Sequence, residues 1–472
     1  AAALAAREGH AYPRAEVADL LEHYNRPLGA SEQTLSNISA LAQPDVYCVV
    51  GGQQAGLLGG PAYVAYKIDC TVRLARRISD MLGVRVVPIF WLASEDHDFG
   101  EINHTHYVQR DGEIGRVSFD WHDKGRPIAD LALTEQVRKA VDEYWTSAQP
   151  GPFAEVTRAL TEPRNSRYCD WLAAFWLRLF ADDGLVVVEP STLRPVAGSF
   201  FQRALQERET IGNHLQGVAD RLQQDGYTPL LDPETAGVLY TFDDNGRRVR
   251  VHEPGTRLAE ALTHPERFST DAALRPLLAD STLPVIASTL GAGELAYQGM
   301  LRPLYEEFGI PQPICFPRQS YTFVSATEEE RLAAYGLRPR DVMRHEIDMD
   351  SSMRGLMPPG ELDRFAEART NIERALDPLR DYVEQLDPNL GRSWEQALST
   401  ALRNIDKLED RVINVTLSRG GYSRRELQTL RNIILPRGRL QERVLPVTHF
   451  MQHYGPSFLG RLRETGELER FG

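Results

Sequence analysis

Glu95, Asp96, His97, Asp98 and Glu101 fall within seven positions of one another, in the stretch SEDHDFGEINHTH (94–106). Carboxylates crowded around an imidazole suit two kinds of chemistry. They can hold a metal ion, or they can bind an ammonium group and supply a general base. Spacing alone does not choose, because a His-x-His pair such as His104 and His106 occurs often by chance. A solvated acidic loop is the bland alternative. The apolar run that precedes the cluster weighs against it.

A second stretch, GGQQAGLLGGPAYVAYK (51–67), is rich in glycine and ends on a lysine. It fits neither the P-loop nor the dinucleotide fingerprint. Pro61 suits the first turn of a helix. On that helix Tyr63 and Lys67 are neighbours one turn apart. Helical side chains lean toward the N-terminus, so Lys67 can reach back toward the glycines. A helix start with free N–H groups favours an anion, so a phosphate or carboxylate site competes evenly with a plain tight turn. Gln53, Gln54, Gly56 and Gly60 would complete it. Further along, GAGELAYQG (291–299) offers Glu294 and Tyr297, where helix capping by Glu294 is the simpler role. FPRQS (316–320) offers Arg318, suited to a carboxylate or phosphate partner unless it is an ordinary surface arginine. LQER (440–443) says little alone.

Each of these segments follows a short, continuous apolar run: VYCVV (46–50), VRVVPIFWLA (84–93), LPVIASTLG (283–291) and PICFPR (313–318), with GLVVVEPS (184–191) as a fifth. Continuous runs separated by helical patterns predict parallel strands covered on both faces, an α/β Rossmann-like core. Such sheets bind ligands at the carboxyl ends of their strands, where the polar segments lie. Two stretches with DG or DDNG turns, 105–121 and 237–253, read as hairpins. From about Leu356 the apolar spacing becomes heptad, in two runs parted at DPNLG (387–391), which predicts an antiparallel helical hairpin. Pro378 should kink or restart its first helix, and the glycine pair at 420–421 should end its second. The expected division is therefore a core over 1–354 with insertions at about 105–160 and 215–270. A coiled coil would follow over 355–435, and 436–472 would return to the core.

The 472 residues, 42% hydrophobic and 25% charged, have ordinary globular composition. A net charge of −13 argues against nonspecific nucleic-acid binding. No apolar run reaches the roughly 20 residues of a membrane helix. The first residues carry no basic segment followed by a long apolar one, so a cytoplasmic protein is expected. Cys48, Cys70, Cys169 and Cys315 are scattered, which fits buried thiols better than disulfides or a zinc site.

Taken together and in this order, GGQQAGLLGGP with Lys67, EDHDFGEIN, LPVIASTLGAGE, FPRQS and LQER resemble the bacillithiol biosynthesis cysteine-adding enzymes. The family pattern reads TGQQAGLFTGP with a later HK, EDHDF-x-EIN, an LPT-type strand leading to GPGE, FPR-x-S and QER. Gly51 and Gly59 depart from it where threonine is usual, Tyr66 where histidine is usual and Ala292 where proline is usual. The resemblance implies a Rossmann-like core, connecting elements and a coiled coil that makes a homodimer. It implies attachment of cysteine, through its carboxyl, to the amine of glucosaminyl-malate. Such a step needs carboxylate activation, for which adenylation by ATP is the expected route, with ATP or ADP as the nucleotide bound. No metal is expected beyond a magnesium ion accompanying the nucleotide. Within that frame Gln53, Gln54, Gly56, Gly60, Tyr63 and Lys67 would hold phosphates, and Glu95, Asp96 or Asp98 would pair with an ammonium group. His97 would take a proton, and Asn103, Glu294, Tyr297 and Arg318 would bind substrate, Arg318 through the malate carboxylate. Two rivals stand beside this: a metal-dependent hydrolase centred on 95–106, and a non-catalytic coiled-coil scaffold.

Overall fold

A computed structural model describes residues 2–96, 98–123, 125–344 and 348–465, which divide into two compact units. The larger unit comprises residues up to 107, 115–321 and the segment from 442 onward. At its centre are β1 (Val46–Gln54), α1 (Tyr63–Leu82), β2 (Arg85–Ala93), α2 (Tyr168–Leu179), β3 (Val186–Val188), α3 (Leu274–Thr282), β4 (Val285–Leu290), α4 (Ala292–Gln298) and β5 (Ile314–Pro317). All five apolar runs are strands, and all pair in parallel, in the order β5-β4-β1-β2-β3. Side chains alternate between two covered faces, which is why the runs are continuously apolar. Val49, Ile286 and Ala287 pack with Leu74 and Ala75 of α1 on one face. Cys48, Val50, Ile89 and Val188 pack on the other with Ala279 of α3 and with Val17, Leu21 and Ile38 from the N-terminal helices. The expected α/β core is present.

This strand order places a switch point between β1 and β4. From β1 the chain moves outward to β2 and β3, then returns to lay β4 on the other side of β1. Helices leaving neighbouring strands in opposite directions open a crevice at that point, above the strand ends. One stretch that reads as a hairpin, 237–253, does form one, Leu239–Phe242 against Arg248–Arg250, extended by Ser269–Thr270. The other gives the two-stranded ribbon His104–Val108 and Ile114–Ser118.

The smaller unit comprises 108–114 and 322–441. Its hairpin is α5 (Asp363–Leu386) and α6 (Leu390–Arg419). The pairs Arg369–Asp406 and Arg380 over Trp394, together with the bond from Trp394 Nε1 to Leu376 O, run in opposite senses along the two helices, so they are antiparallel. Of the two outcomes expected at Pro378, a kink or a restart, the restart does not occur: Pro378 lies inside α5, which continues past it to Leu386. The unit begins at Thr322, earlier than the expected boundary at 354. The reason is packing: Leu332, Tyr335, Val342 and Met353, from short helices before α5, share one core with Ile413, Leu417 and residues of α7 (Arg424–Ile434). Those short helices bury apolar side chains against the base of the hairpin and α7.

Candidate functional site

The crevice predicted by the topology is a cleft of about 550 Å³. Its walls come from Gly52, Gln53 and Gln54 at the end of β1, Trp91 and Ala93 of β2, Ser288 and Leu290 of β4, one face of α3, and Glu294 and Tyr297 of α4. Asp96 and Glu101 face it from the acidic stretch, and Arg275 and Asp280 from α3. Three polar atoms of the lining residues are buried without a hydrogen-bond partner among the described residues: Gln54 Oε1, Trp91 Nε1 and Arg275 Nε. A buried donor or acceptor left open costs free energy unless something fills it. The lining therefore suits a polar ligand.

The acidic stretch is held by arginines from distant parts of the chain. Glu95 is buried, and Arg194 donates to its Oε1 through Nε (2.9 Å) and Nη2 (2.7 Å). Behind it, Ser94 Oγ donates to Glu189, which Arg167 also grips. Asp96 accepts from Arg275 Nη2 at 2.9 Å and lies 3.5 Å from Arg248 Nη1. Neither carboxylate is a free acid awaiting a cation. Each is already neutralised by an arginine, and Arg275 is thereby brought to the cleft. Asp98 is exposed and does not line the cleft. Glu101 does, and burial, with Asp98 and Asp96 beside it, raises its carboxyl above the ordinary range. His97 lies outside the described residues. His104 and His106 lie ring to ring, and Asn103 bonds His104 rather than facing the cleft. Among the described residues, no three His, Cys, Asp or Glu side chains come together as a metal would need.

Lys67 does reach back along α1, as its place on the helix predicts. Its Nζ donates to Gly52 O (2.7 Å), Gln53 Oε1 (2.9 Å) and Glu294 Oε2 (2.6 Å). An ammonium has three protons, so these partners use them all. The side chain is 1% exposed, and burial lowers its pKa while the neighbouring Glu294 carboxylate opposes that fall. Glu294 also accepts from Gly291 N at 2.6 Å, closing the start of α4. Tyr63 accepts from Gln53 Nε2 at 3.1 Å. Tyr297 lines the cleft, and burial pushes its phenol up to about 12.

The glycine turn does not fit a phosphate cradle. Gly56, Gly59, Gly60, Ala62 and Val64 spend their N–H groups on Gln54, Gly56, Leu57, Leu445 and Pro61 carbonyls. The turn is buried under α2, and a Cβ on Gly59 (φ +87°) would meet Phe175 at 2.9 Å. Gly51 is bare for a similar reason: a Cβ there would lie 2.3 Å from Thr71 Oγ1 and 2.5 Å from Thr289 Oγ1. Gln53 and Gln54 reach the cleft, while Gly56, Gly60, Tyr63 and Lys67 do not line it.

Arg318 is likewise occupied. Its Nη1 and Nη2 form a fork on Glu442 at 3.0 and 2.7 Å, both residues nearly fully buried, and its guanidinium lies over Tyr63. This pair explains the spacing of FPRQS and LQER: the two segments meet, and together they anchor the returning chain. Sequence reading missed Arg194, Arg248 and Arg275, whose partners are 99, 152 and 179 residues away. It also missed Trp91 and Asp280, which lie inside apolar segments that gave no reason to single them out.

Comparison with known proteins covers both units. Residues 1–319 match a family model described as "Bacillithiol biosynthesis BshC, N-terminal Rossmann-like domain", and residues 321–469 one described as "Bacillithiol biosynthesis BshC, C-terminal coiled-coil domain". The chain is 31% identical to a protein of Geobacillus thermodenitrificans over 96% of its length and 88% of the relative's. It is 31% identical to one of Symbiobacterium thermophilum (98% and 89%) and 30% identical to one of Salinibacter ruber (95% and 86%). All three relatives bear the name "Putative cysteine ligase BshC".

Proposed function

Because the chain belongs to the bacillithiol biosynthesis BshC family, we propose that it is a ligase that attaches L-cysteine, through its carboxyl, to the glucosamine amine of glucosaminyl-malate. The amide so formed is bacillithiol, and the activity is placed in the cytoplasm, in a homodimer held by the coiled coil. The observation that carries this reading is the mixed charge of the cleft. Glu101 offers a carboxylate suited to an ammonium group, and Arg275 carries an unpartnered Nε–H suited to a carboxylate. Cysteine and glucosaminyl-malate each bear both kinds of charge.

In this reading the described residues take tasks set by their contacts. Arg275, oriented by Asp96, takes a substrate carboxylate. Lys67 positions Glu294 at the cleft edge and contacts no substrate. Arg194 fixes Glu95 beneath the acidic stretch through a two-point contact. His97 or Glu101 receives the proton that the amine must lose before it attacks. A free carboxylate is a poor acyl donor, so a nucleoside triphosphate is proposed as the activating co-substrate on that chemistry alone. The glycine turn is not its seat, and no step is derived through it.

The test is to incubate the protein with cysteine and glucosaminyl-malate, with and without ATP, and to look for the amide by mass spectrometry. A nucleotide-dependent product of the mass of the two substrates less one water is expected. No product under any condition overturns the proposal.

A further inference from the structure

The cleft has an inner end that the residues above leave without a role. Asp280 lies five residues beyond Arg275 on α3, about 7.5 Å further along the helix axis. The helix runs from the strand ends back toward the start of β4, so Asp280 sits deeper than Arg275. It is 4% exposed, the most buried charged group among the cleft-lining residues. Tyr305 OH donates to its Oδ2 at 2.5 Å, and Gln298 Nε2 donates in turn to Tyr305 at 3.1 Å. Its other oxygen, Oδ1, has no hydrogen bond among the described residues. Around this point the cleft is lined by Val50, Ala279 and Ser288.

Oδ1 has no hydrogen bond among the described residues and is not among the buried atoms left without a partner, so it opens to the cleft and is within reach of a ligand. Here one oxygen is fixed from behind by a phenol and an amide, and the other is left to the cleft. We propose that Asp280 is a binding group for the basic nitrogen of the ligand, seated at the inner end of the cleft. This rests on the reading of the cleft as the substrate site and adds to it the seat of the glucosamine amine, which leaves Glu101 to the ammonium of cysteine.

An amine fits better than a hydroxyl because of charge. Burial raises the Asp280 carboxyl to about 7, against the opposing effects of the Tyr305 hydrogen bond and of Arg7. The other titratable groups whose fields reach it are Tyr12 from the N-terminal segment, Cys48 of β1 and Cys315 of β5. Near neutrality the group is thus poised between its two forms. An ammonium beside Oδ1 would complete its ionisation and gain a charge-assisted hydrogen bond in a dry site, whereas a hydroxyl would leave the buried charge uncompensated.

Calorimetry on the full-length chain at pH 7 tests this, with glucosaminyl-malate and its 2-hydroxy counterpart, glucosyl-malate, as probes. The wild-type chain should prefer the amine by tenfold or more, and Asp280→Asn, which keeps the shape and the Tyr305 contact, should lose that preference. Tyr305→Phe should keep part of it. The proposal is overturned if Asp280→Asn discriminates as the wild type does, or if the wild type binds neither probe or both equally. The ligase reading is judged separately by amide formation. Amine preference that depends on Asp280 without any amide product would sink that reading and leave this one standing.

Discussion

Replacing Lys67 with methionine removes the ammonium that ties β1 to α4 while keeping an unbranched chain of similar volume. Three acceptors then lose a donor: Gly52 O, Gln53 Oε1 and Glu294 Oε2. Each buried acceptor left open costs about 1–3 kcal/mol. Glu294 is 27% exposed, so water recovers part of its share. Methionine also escapes the desolvation that burying a cation entails. Breaking a buried pair on one side costs about 3–5 kcal/mol, and these two offsets bring the expected loss to about 2–4 kcal/mol. For a unit of this size that is a fall in thermal midpoint of roughly 3–6 °C. A double-mutant cycle with Glu294→Gln separates the pair from the rest, and a coupling of about 1–2 kcal/mol is expected. Amide formation should fall in both single variants, because Lys67→Met frees Glu294 from its place at the cleft edge and Glu294→Gln removes its charge. A coupling below about 0.3 kcal/mol, with the midpoint of Lys67→Met unchanged, would refute the buried-anchor account of Lys67.

Three further outcomes follow from the same geometry. Asp280 titrates near 7 in the folded chain and near 3.9 when unfolded, so the proton it retains on folding contributes stability that is whole below about pH 4 and lost as pH rises through 7. Asp280→Asn should therefore gain on the wild type between pH 5 and 8 in thermal scans, by on the order of 2–4 kcal/mol, and parallel profiles would contradict this. Gly51→Thr should lower stability by about 1–3 kcal/mol through overpacking against Thr71 and Thr289, and adding Thr71→Ala should restore most of the midpoint. Arg318→Met strands the buried Glu442 carboxylate and should cost about 3–5 kcal/mol in chemical unfolding; an unchanged midpoint would mean that the fork does not hold the returning segment.

The strands were legible because burial on both faces leaves a continuous apolar run, and the polar segments after them did mark the strand ends. The heptads gave the hairpin, since an apolar stripe of that period has no other use. What the chain order could not reveal is which opposite charge each acid meets. Glu95, Asp96 and Arg318 were all read as ligand groups, yet each has a protein partner far away in sequence: Arg194, Arg275 and Glu442. Lys67 was placed correctly on its helix, but its burial depends on β4 and α4, over 200 residues away. The glycine turn looked like an anion loop because glycine serves equally for a close-packed turn. Gly59 faces Phe175 and Trp176, and only the packed structure shows it.

The central claim is that cysteine is joined to its acceptor in the cleft between the ends of β1 and β4. Gly293 lines that cleft on α4, and a Cβ there would meet nothing within 4 Å; a Cβ at Gly299, just beyond the helix, is equally open, but Gly299 lies outside the cleft lining. The decisive measurement is the rate of cysteinyl-amide formation by Gly293→Trp beside Gly299→Trp and the wild type. Filling the cleft at 293 should lower the rate at least a hundredfold with an unchanged thermal midpoint, while the variant at 299 works normally. A Gly293→Trp protein as active as the wild type would contradict it.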